Sequence, residues 1–328
     1  MINENITKND ALPFLTYEEA LERVKTEVDR TLSSSPKVIR TYTEHLTLSR
    51  GKFIRAISLL ACAENKERQI HPNAVQFAAA VELLHLATLV HDDVIDNAKT
   101  RRGVVTLQKK FGKKTAVICG DYLLCVALQH ASSIPNKKDY LDFDVPDFMS
   151  KVCLGEIKQN MNNGNVNLSV YEYLKIISGK TAALFEASFY AGAILCKDAE
   201  NEVKQYIRLG RYMGMIFQLT DDCIDFEATP EAAKKPVQSD FEQGVVTLPL
   251  IYAFQKRADL KEKAKTSEIS RGEINATVAE TGGLSYTRLV SKKYYNKALF
   301  IIEKLNVNPE KGQRLTAILD KVYYGLKK

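Results

Sequence analysis

The stretch Asp92-Asp93-Val94-Ile95-Asp96 ends a long apolar segment, and its pattern recurs as Asp221-Asp222-Cys223-Ile224-Asp225. In an α-helix, positions i, i+1 and i+4 lie close to one face, so each cluster presents three carboxylates to a small volume. Two such clusters brought together by a fold repel each other unless cations lie between them or the carboxylates are simply solvated. Carboxylates without a set of Cys and His ligands favour a hard ion, Mg²⁺ first, shared with substrate phosphates. The two clusters therefore predict a metal-bridged diphosphate site.

The periodicity of the rest of the chain predicts an all-α fold. Apolar residues recur at three- and four-residue spacing, and segments that alternate with period two are absent. The longest predicted helices are apolar on more than one face, so we expect a bundle around a deep axial cavity with the two clusters facing each other near one mouth. The predicted helices span residues 17–32, 51–64, 73–96, 114–132, 147–160, 170–196, 200–226, 247–255, 284–305 and 309–326.

Composition limits the class of protein. The chain has 328 residues, 45% of them hydrophobic, and a net charge of +6 with its basic residues spread out, which argues against a nucleic-acid-binding surface. We find no interdomain linker and expect a single domain over residues 1–328. The six cysteines are scattered without a CxxC pair, which indicates reduced thiols in a cytoplasmic protein. The first ten residues lack the basic-then-apolar pattern of a signal sequence, so we expect none, and we expect no transmembrane segment because no apolar run approaches roughly 18 residues.

Five stretches carry a resemblance to a known family. In chain order they resemble the trans-isoprenyl diphosphate synthases, with a pattern closest to the bacterial long-chain polyprenyl diphosphate synthases. The resemblance implies an isoprenoid synthase-type bundle of long helices around a deep central cavity. A lone DDxxD motif also occurs in terpene cyclases, but two such motifs with a trailing Arg-Arg pair are specific. The stretches are HDDVIDNAKTRRG (His91–Gly103), GDYLL (Gly120–Leu124), GKTAALFEA (Gly179–Ala187), FQLTDDCIDF (Phe217–Phe226) and VTLPL (Val246–Leu250).

The resemblance implies a reaction and its cofactor. Such enzymes condense an allylic diphosphate with isopentenyl diphosphate, release pyrophosphate and extend an all-trans chain by five carbons. The leaving diphosphate departs only if its developing negative charge is stabilised. Three Mg²⁺ ions per substrate-bound site are implied, and Lys180 joins the carboxylates as a catalytic residue. The implied direct metal ligands are Asp92, Asp96 and Asp221, with Asp93, Asp222 and Asp225 as further ligands or as partners behind them.

The resemblance also assigns the substrate-binding residues. Arg101, Lys180 and Lys235 complete the neutralisation of the allylic diphosphate. The diphosphate of isopentenyl diphosphate binds without metal, at basic side chains. The positions implied for this second site are Lys52, Arg55, His85 and Arg102.

Three of the polar candidates have a second interpretation. Thr181 and Gln218 fall where the family steadies a carbocation or orients diphosphate, but polar packing inside a helix explains them equally well. His85 lies between two leucines, so it can also be a hydrogen-bonded core residue.

The sequence departs from the family pattern in two loops. Members usually read GGKxxRP, whereas this chain has Arg50 and Ala56 at the flanking Gly and Pro positions. This change affects the loop that presents Lys52 and Arg55. After the second cluster, the usual glycines of GKPxGxD are Lys234 and Gln238, and Val245 stands where many members have a basic residue.

Small residues near the first cluster predict a long product. The family's first length-limiting position is five residues before Asp92, at Ala87, and its neighbour is Thr88; short-chain enzymes have aromatic residues there. A tail can then pass Leu84 and Ala80 to reach Phe77, about 22 Å from Asp92 at about 1.5 Å per residue. Tyr122 on another helix is an alternative floor. The length of this path, calculated from the helical rise, predicts a product of about 25–40 carbons.

Other functions remain open at this stage. The chain can be the catalytic or regulatory subunit of a heteromeric synthase, although regulatory subunits generally lose one Asp-rich motif. It can be a short-chain farnesyl or geranylgeranyl synthase. A terpene cyclase typically has an Asn/Ser/Glu triad instead of the second DDxxD, and a non-enzymatic scaffold does not explain two matching clusters. The family resemblance implies a homodimer.

Overall fold

A computed structural model describes residues 13–134, 147–196, 200–227, 241, 243–266 and 269–325. These residues form α-helices and one short hairpin of two-residue strands, β1 (Thr100–Arg101) and β2 (Val104–Val105). The helices are α1 (Tyr17–Ser33), α2 (Lys37–Leu46), α3 (Ile54–Ala63), α4 (Asn73–Ile95), α5 (Leu107–Phe111), α6 (Lys113–Ser132), α7 (Phe148–Met161), α8 (Val170–Ile177), α9 (Ala183–Leu195), α10 (Glu200–Glu227), α11 (Leu248–Lys256), α12 (Ala258–Lys265), α13 (Arg271–Thr281), α14 (Gly283–Lys304) and α15 (Pro309–Tyr323).

Several helices begin at capping boxes in the sequence. In each box a hydroxyl at the N-cap accepts the N–H of the third helical residue, and the glutamate there accepts the N–H of the cap, so two otherwise unpaired donors are satisfied. These boxes fix the starts of α1, α8 and α13. The pairs are Thr16 with Glu19, Ser169 with Glu172, and Ser270 with Glu273.

The longest helices form the centre of the bundle, as predicted. Helix α4 packs most extensively against α6, and α10 packs against α9 and α14, while α3 lies between α4 and α9. The core between these helices contains fully buried side chains such as Leu59, Leu83, Phe185 and Leu209. Burial of such side chains is the main source of stability in a bundle of this kind.

Helix α4 is a longer apolar segment than expected from the sequence. The helix has 23 residues, and an 18-residue window within it has a mean hydropathy of 1.4. By length and composition alone, α4 could therefore cross a membrane. Half of that window is buried inside the protein, where α4 packs against α6, α1, α3 and α9. A central helix of a bundle meets the same criterion because it is apolar on several faces. We therefore interpret α4 as a core helix.

The predicted helix over residues 170–196 contains a local change of geometry. Helices α8 and α9 are joined by a π-helical turn, Ser178–Ala182, and the helical run ends at Leu195. Such turns widen the helix by one residue and are frequent at functional sites. Here the turn contains Lys180 and Thr181.

Gly155 on α7 permits close approach of this π turn. A Cβ at Gly155 would lie 2.1 Å from the Lys180 backbone nitrogen and 2.6 Å from the Gly179 carbonyl carbon. No side-chain movement relieves a contact with backbone, so only glycine fits this helix crossing.

Replacing Gly155 with alanine is expected to lower the free energy of unfolding by about 1–3 kcal/mol, because the added methyl overpacks a backbone contact. Gly272 on α13 is a matched control, since a Cβ there has no atom within 4 Å. Gly272→Ala should leave stability unchanged or raise it by up to about 1 kcal/mol. Urea unfolding followed by circular dichroism measures both variants. Equal stability of the two variants would contradict this account of the crossing.

Candidate active site

The two acidic clusters line one cavity of about 180 Å³. Asp92 and Asp96 reach it from the C-terminal end of α4, and Asp221 and Asp222 reach it from α10. The cavity is also lined by Lys180, Arg101, Tyr173, Gln218 and Val245. The structure thus brings four of the six cluster carboxylates together, whereas the sequence predicts all six; Asp93 and Asp225 do not line the cavity.

Asp93 does not share this cavity. It is 6% exposed, its Oδ1 accepts a hydrogen bond from Arg101 Nε at 2.8 Å, and the same oxygen forms an ion pair with an Arg101 terminal nitrogen at 2.7 Å. Adjacent helical residues point about 100° apart, so Asp92 and Asp96 share a face that Asp93 does not. The hairpin after α4 folds Arg101 back onto Asp93, and this ion pair holds Arg101 at the cavity wall.

Asp222 occupies the corresponding position in the second cluster and is also tied to the protein. It is 1% exposed; Gln218 Nε2 donates to its Oδ1 at 2.9 Å, and the Tyr173 hydroxyl donates to its Oδ2. Thr181 in turn donates to Gln218 Oε1 at 2.7 Å. These bonds fix the orientation of Asp222. Asp225 is partly buried and is not among the residues that line the cavity.

Tyr173 and Glu156 are site residues that the sequence reasoning missed. Glu156 lies on α7, and its carboxylate pairs with Lys180 Nζ at 2.8 Å. Tyr173 precedes Lys180 by about two turns in the predicted helix, a spacing that places it on the same side and was an available signal. Glu156 had no such signal, because its partner lies on a different helix.

Burial in the cavity disfavours the ionised form of its carboxylates. Burial raises the pKa of Asp92 to about 7; Lys180 lowers it, while Glu156 and Asp96 raise it. Burial also raises the pKa of Asp96. Burial lowers the pKa of Lys180, but the nearby carboxylates of Glu156 and Asp92 outweigh this, so the pKa lies above its ordinary value. A cation placed here would relieve the repulsion.

The donor set fits a hard cation shared with a ligand. All cluster donors are carboxylate oxygens, which Mg²⁺ prefers. Within the described part of the chain, no three Asp, Glu, His or Cys side chains group closely enough to hold a metal ion alone. Mg²⁺ usually keeps only one or two protein carboxylates and completes its octahedron with water and substrate phosphates. Asp92, Asp96 and Asp221 are therefore the residues that would hold it.

A second basic group lies beside α3 and the middle of α4. Arg55 is 6% exposed, and its guanidinium lies 4.8 Å from the ring centroid of Phe185 and 6.0 Å from that of Phe217. Burial lowers the pKa of Arg55 to about 10; Glu82 raises it and Arg102 lowers it. Arg102 donates to the Ser49 carbonyl at 2.8 Å.

His85 belongs to this group. Burial, and then the charges of Arg55, Arg102 and Arg101, hold the pKa of His85 well below its usual range. The imidazole is therefore neutral at pH 7 and can donate one hydrogen bond. Lys52 is exposed on the loop before α3.

The predicted length-determining residues follow α4 away from the cavity. Ala87 is 2% exposed, and Leu84 and Phe77 are half-buried against the core. The Thr88 hydroxyl donates to the His85 carbonyl at 2.8 Å. Tyr122 is half-buried on α6 and lines a separate groove of about 1040 Å³. Lys234, Lys235 and Gln238 lie outside the described residues, so the predicted role of Lys235 stays a prediction.

Comparison with known proteins gives three close likenesses. The heptaprenyl diphosphate synthase component 2 of Geobacillus stearothermophilus is 33% identical over 300 residues, which covers 89% of this chain and 92% of that protein. The crystal structure of heptaprenyl diphosphate synthase from Staphylococcus aureus matches with a TM-score of 0.85 and 30% identity, over 95% of this chain and 99% of that one. A polyprenyl synthase from Caulobacter crescentus, crystallised with calcium and isoprenyl diphosphate, matches with a TM-score of 0.83 and 27% identity, over 94% and 95%.

The family follows from these matches. The sequence model of the family described as polyprenyl synthetase matches residues 36–281, which is well over half of the chain. The structural likeness confirms the predicted all-α isoprenoid synthase fold. The family uses divalent metal ions, in agreement with the carboxylate donors of the cavity. The chain belongs to the polyprenyl synthetase family, and it is a prenyltransferase that elongates polyprenyl diphosphate chains.

Proposed function

We propose that this chain condenses an allylic diphosphate with isopentenyl diphosphate to give an all-trans polyprenyl diphosphate of about 25–40 carbons, a length based on the helical rise of α4. The observation that carries the proposal is the cavity between Asp92, Asp96 and Asp221. A diphosphate bound between two opposed carboxylate groups requires cations, and an allylic diphosphate is a substrate that such cations activate.

Each residue of the cavity has a separate task in this reaction. When bound, Mg²⁺ neutralises the charge that develops on the leaving diphosphate; we propose three ions, held by Asp92, Asp96 and Asp221. Lys180 and Arg101 supply further positive charge at the cavity wall, and their own partners, Glu156 and Asp93, aim them. The released diphosphate takes up the proton lost from the condensed product, so a separate protein base is not needed.

The second substrate needs a site of its own. We propose that Arg55, His85, Arg102 and Lys52 bind the diphosphate of isopentenyl diphosphate without metal. Arginine offers several N–H donors that match phosphate oxygens, and a neutral His85 adds a donor without further charge repulsion. One member of this group, His85, lies on the same helix, α4, as the first acidic cluster, so the two sites share a structural element.

A long product is supported by the residues along α4. Ala87 and Ala80 are small and buried, and Thr88 carries no ring, so none of them blocks a growing tail near the cavity. Phe77, further along the helix, supplies the floor. The two heptaprenyl synthases above are named for products within this range. A short-chain synthase is the alternative, and product analysis separates the two.

We also propose that the chain forms a homodimer. Helix α7 has a stripe of exposed apolar residues at helical spacing: Leu154 is 53%, Ile157 54% and Met161 78% exposed. Helix α6 exposes Ile118 at 63% and Leu128 at 57%. Apolar stripes of this kind mark association surfaces. The relative named component 2 makes a heteromer the alternative, in which this chain, with both acidic clusters, is the catalytic subunit.

Replacing Asp221 with Asn should lower kcat by about 10²–10³-fold, because a charge aimed at the metal-bound diphosphate is lost. Asp225→Asn is the matched control on the same helix and should cost much less, since Asp225 does not line the cavity. The assay is incorporation of labelled isopentenyl diphosphate by the purified chain with Mg²⁺ and no partner added. Equal losses in both variants would contradict the assignment, and an inactive wild-type chain would favour the heteromer.

Replacing Ala87 with Phe should shorten the product, because a ring then blocks the path along α4. Phe77→Ala should lengthen it, because the floor is removed. Chromatography of the products made from farnesyl and isopentenyl diphosphates measures both, and a thermal unfolding scan of each variant shows that it is folded. Farnesyl or geranylgeranyl diphosphate as the sole product of the wild-type enzyme would contradict the long-chain proposal.

Binding of Mg²⁺ with pyrophosphate should tighten as pH rises from about 6 to about 8, since Asp92, with a pKa of about 7, must lose its proton to bind metal. The protonated form predominates below pH 7, so the metal competes with a proton there and not above. Calorimetry at several pH values measures the effect. Asp92→Asn is the control for titration of pyrophosphate itself, and it should bind Mg²⁺ with pyrophosphate weakly and with a smaller dependence on pH. The same dependence of affinity on pH in both proteins would overturn the role of Asp92.

A further inference from the structure

Helix α3 begins without a capping side chain of its own. Its N-cap residue, Phe53, has φ 54° and ψ 32°, in the left-handed region, and makes no side-chain capping bond. A non-glycine residue persists in this region only when its surroundings hold it there. The first N–H groups of α3 also need acceptors, because no carbonyl within the helix reaches them.

The acceptor comes from a neighbouring helix. Glu82 on α4 accepts the Ala56 N–H at 2.9 Å with its Oε1. Ala56 is fully buried, so its N–H would have no solvent partner without this carboxylate. Burial raises the pKa of Glu82, while the Ala56 N–H and the charges of Arg55 and Arg102 lower it. Glu82 therefore acts as a cap across helices, with two arginines beside it.

The capped residue, Ala56, is adjacent to Arg55, which we propose binds the diphosphate of isopentenyl diphosphate. Arg55 directly precedes Ala56, is 6% exposed and packs against Phe185 and Phe217. Its Nε is buried and has no hydrogen-bond partner among the residues that the structure describes. A buried, charged donor without a partner is costly unless an anion completes it. Small rotations at the start of α3 would move this guanidinium, so its aim depends on how the helix start is held.

The contacts that hold this start depend on two departures in the sequence. Ala56 has an N–H to donate, which a proline at this position would lack. Arg50, at a position usually occupied by glycine, pairs with Asp29 on α1 at 2.8 Å. The loop between these residues is thus anchored at both ends, to α1 and to α4. In this chain the Arg50–Asp29 ion pair and the Glu82–Ala56 hydrogen bond hold the loop in place.

We infer that Glu82 is a positioning residue, which caps α3 through the Ala56 N–H and thereby holds Arg55 in place for the metal-free diphosphate. The inference rests on the proposed binding of isopentenyl diphosphate at this second site. Glu82 itself does not touch the substrate. Its effect is specific to one substrate, because the first acidic cluster lies about ten residues further along α4, roughly 15 Å at the helical rise.

Steady-state kinetics with both substrates varied tests this role. Glu82→Ala should raise the KM for isopentenyl diphosphate by about tenfold, the effect of one lost charge-assisted hydrogen bond, with kcat and the KM for the allylic substrate nearly unchanged. Glu82→Gln keeps a carbonyl acceptor and should recover most of the affinity. An unchanged KM in Glu82→Ala, or equal changes for both substrates, would overturn the inference.

A double-mutant cycle with Ala56→Pro tests the path of the effect. Proline removes the N–H that Glu82 accepts and is tolerated in the first turn of a helix. If Glu82 acts through Ala56, then Glu82→Ala adds little to the KM in the Ala56→Pro background. The same tenfold increase in both backgrounds would contradict the cap.

Arg55→Ala separates this inference from the function on which it rests. If Arg55→Ala raises the KM for isopentenyl diphosphate and Glu82→Ala does not, the second site stands and the role of Glu82 is wrong. If Arg55→Ala also leaves this KM unchanged, the proposed second site is itself wrong.

Discussion

The repulsion among carboxylates in a partly buried cavity is the constraint on which the rest of the structure depends. Asp92 and Asp96 on α4 share a cavity with Asp221 on α10, and burial makes the negative charge of Asp92 and Asp96 costly. Lys180 and Arg101 offset part of this charge, and a bound cation would offset the rest. The same concentration of negative charge suits the proposed reaction, since a site that attracts cations can stabilise a departing diphosphate.

The second aspartate of each acidic cluster makes the contacts that tie the cavity wall to the rest of the protein. Asp93 holds Arg101, and Asp222 is held by Tyr173 and Gln218. Both side chains are buried, although Asp222 also lines the cavity and Asp93 does not. One sequence pattern therefore supplies both carboxylates that line the cavity and contacts that keep their surroundings in place.

Much of this was predictable from sequence, for a physical reason. The helices and the opposed clusters follow from local periodicity, which a sequence displays directly. Glu156 and Glu82 escaped notice because their partners, Lys180 and Ala56, lie on other helices, and only the packed fold brings them together. The apolar length of α4 was also misjudged, since a central bundle helix and a membrane span share one composition. Positions of backbone strain, such as Phe53, leave no trace in the residue pattern.

The central claim is that a diphosphate binds between the two clusters through shared metal ions. The most direct measurement is a crystal structure of the enzyme with Mg²⁺ and an unreactive allylic diphosphate analogue. The account predicts metal density in contact with Asp92 and Asp96 on one side and with Asp221 on the other, with the analogue's phosphates between them. Metal bound at one cluster alone, or the analogue bound only beside Arg55 without metal, would contradict it.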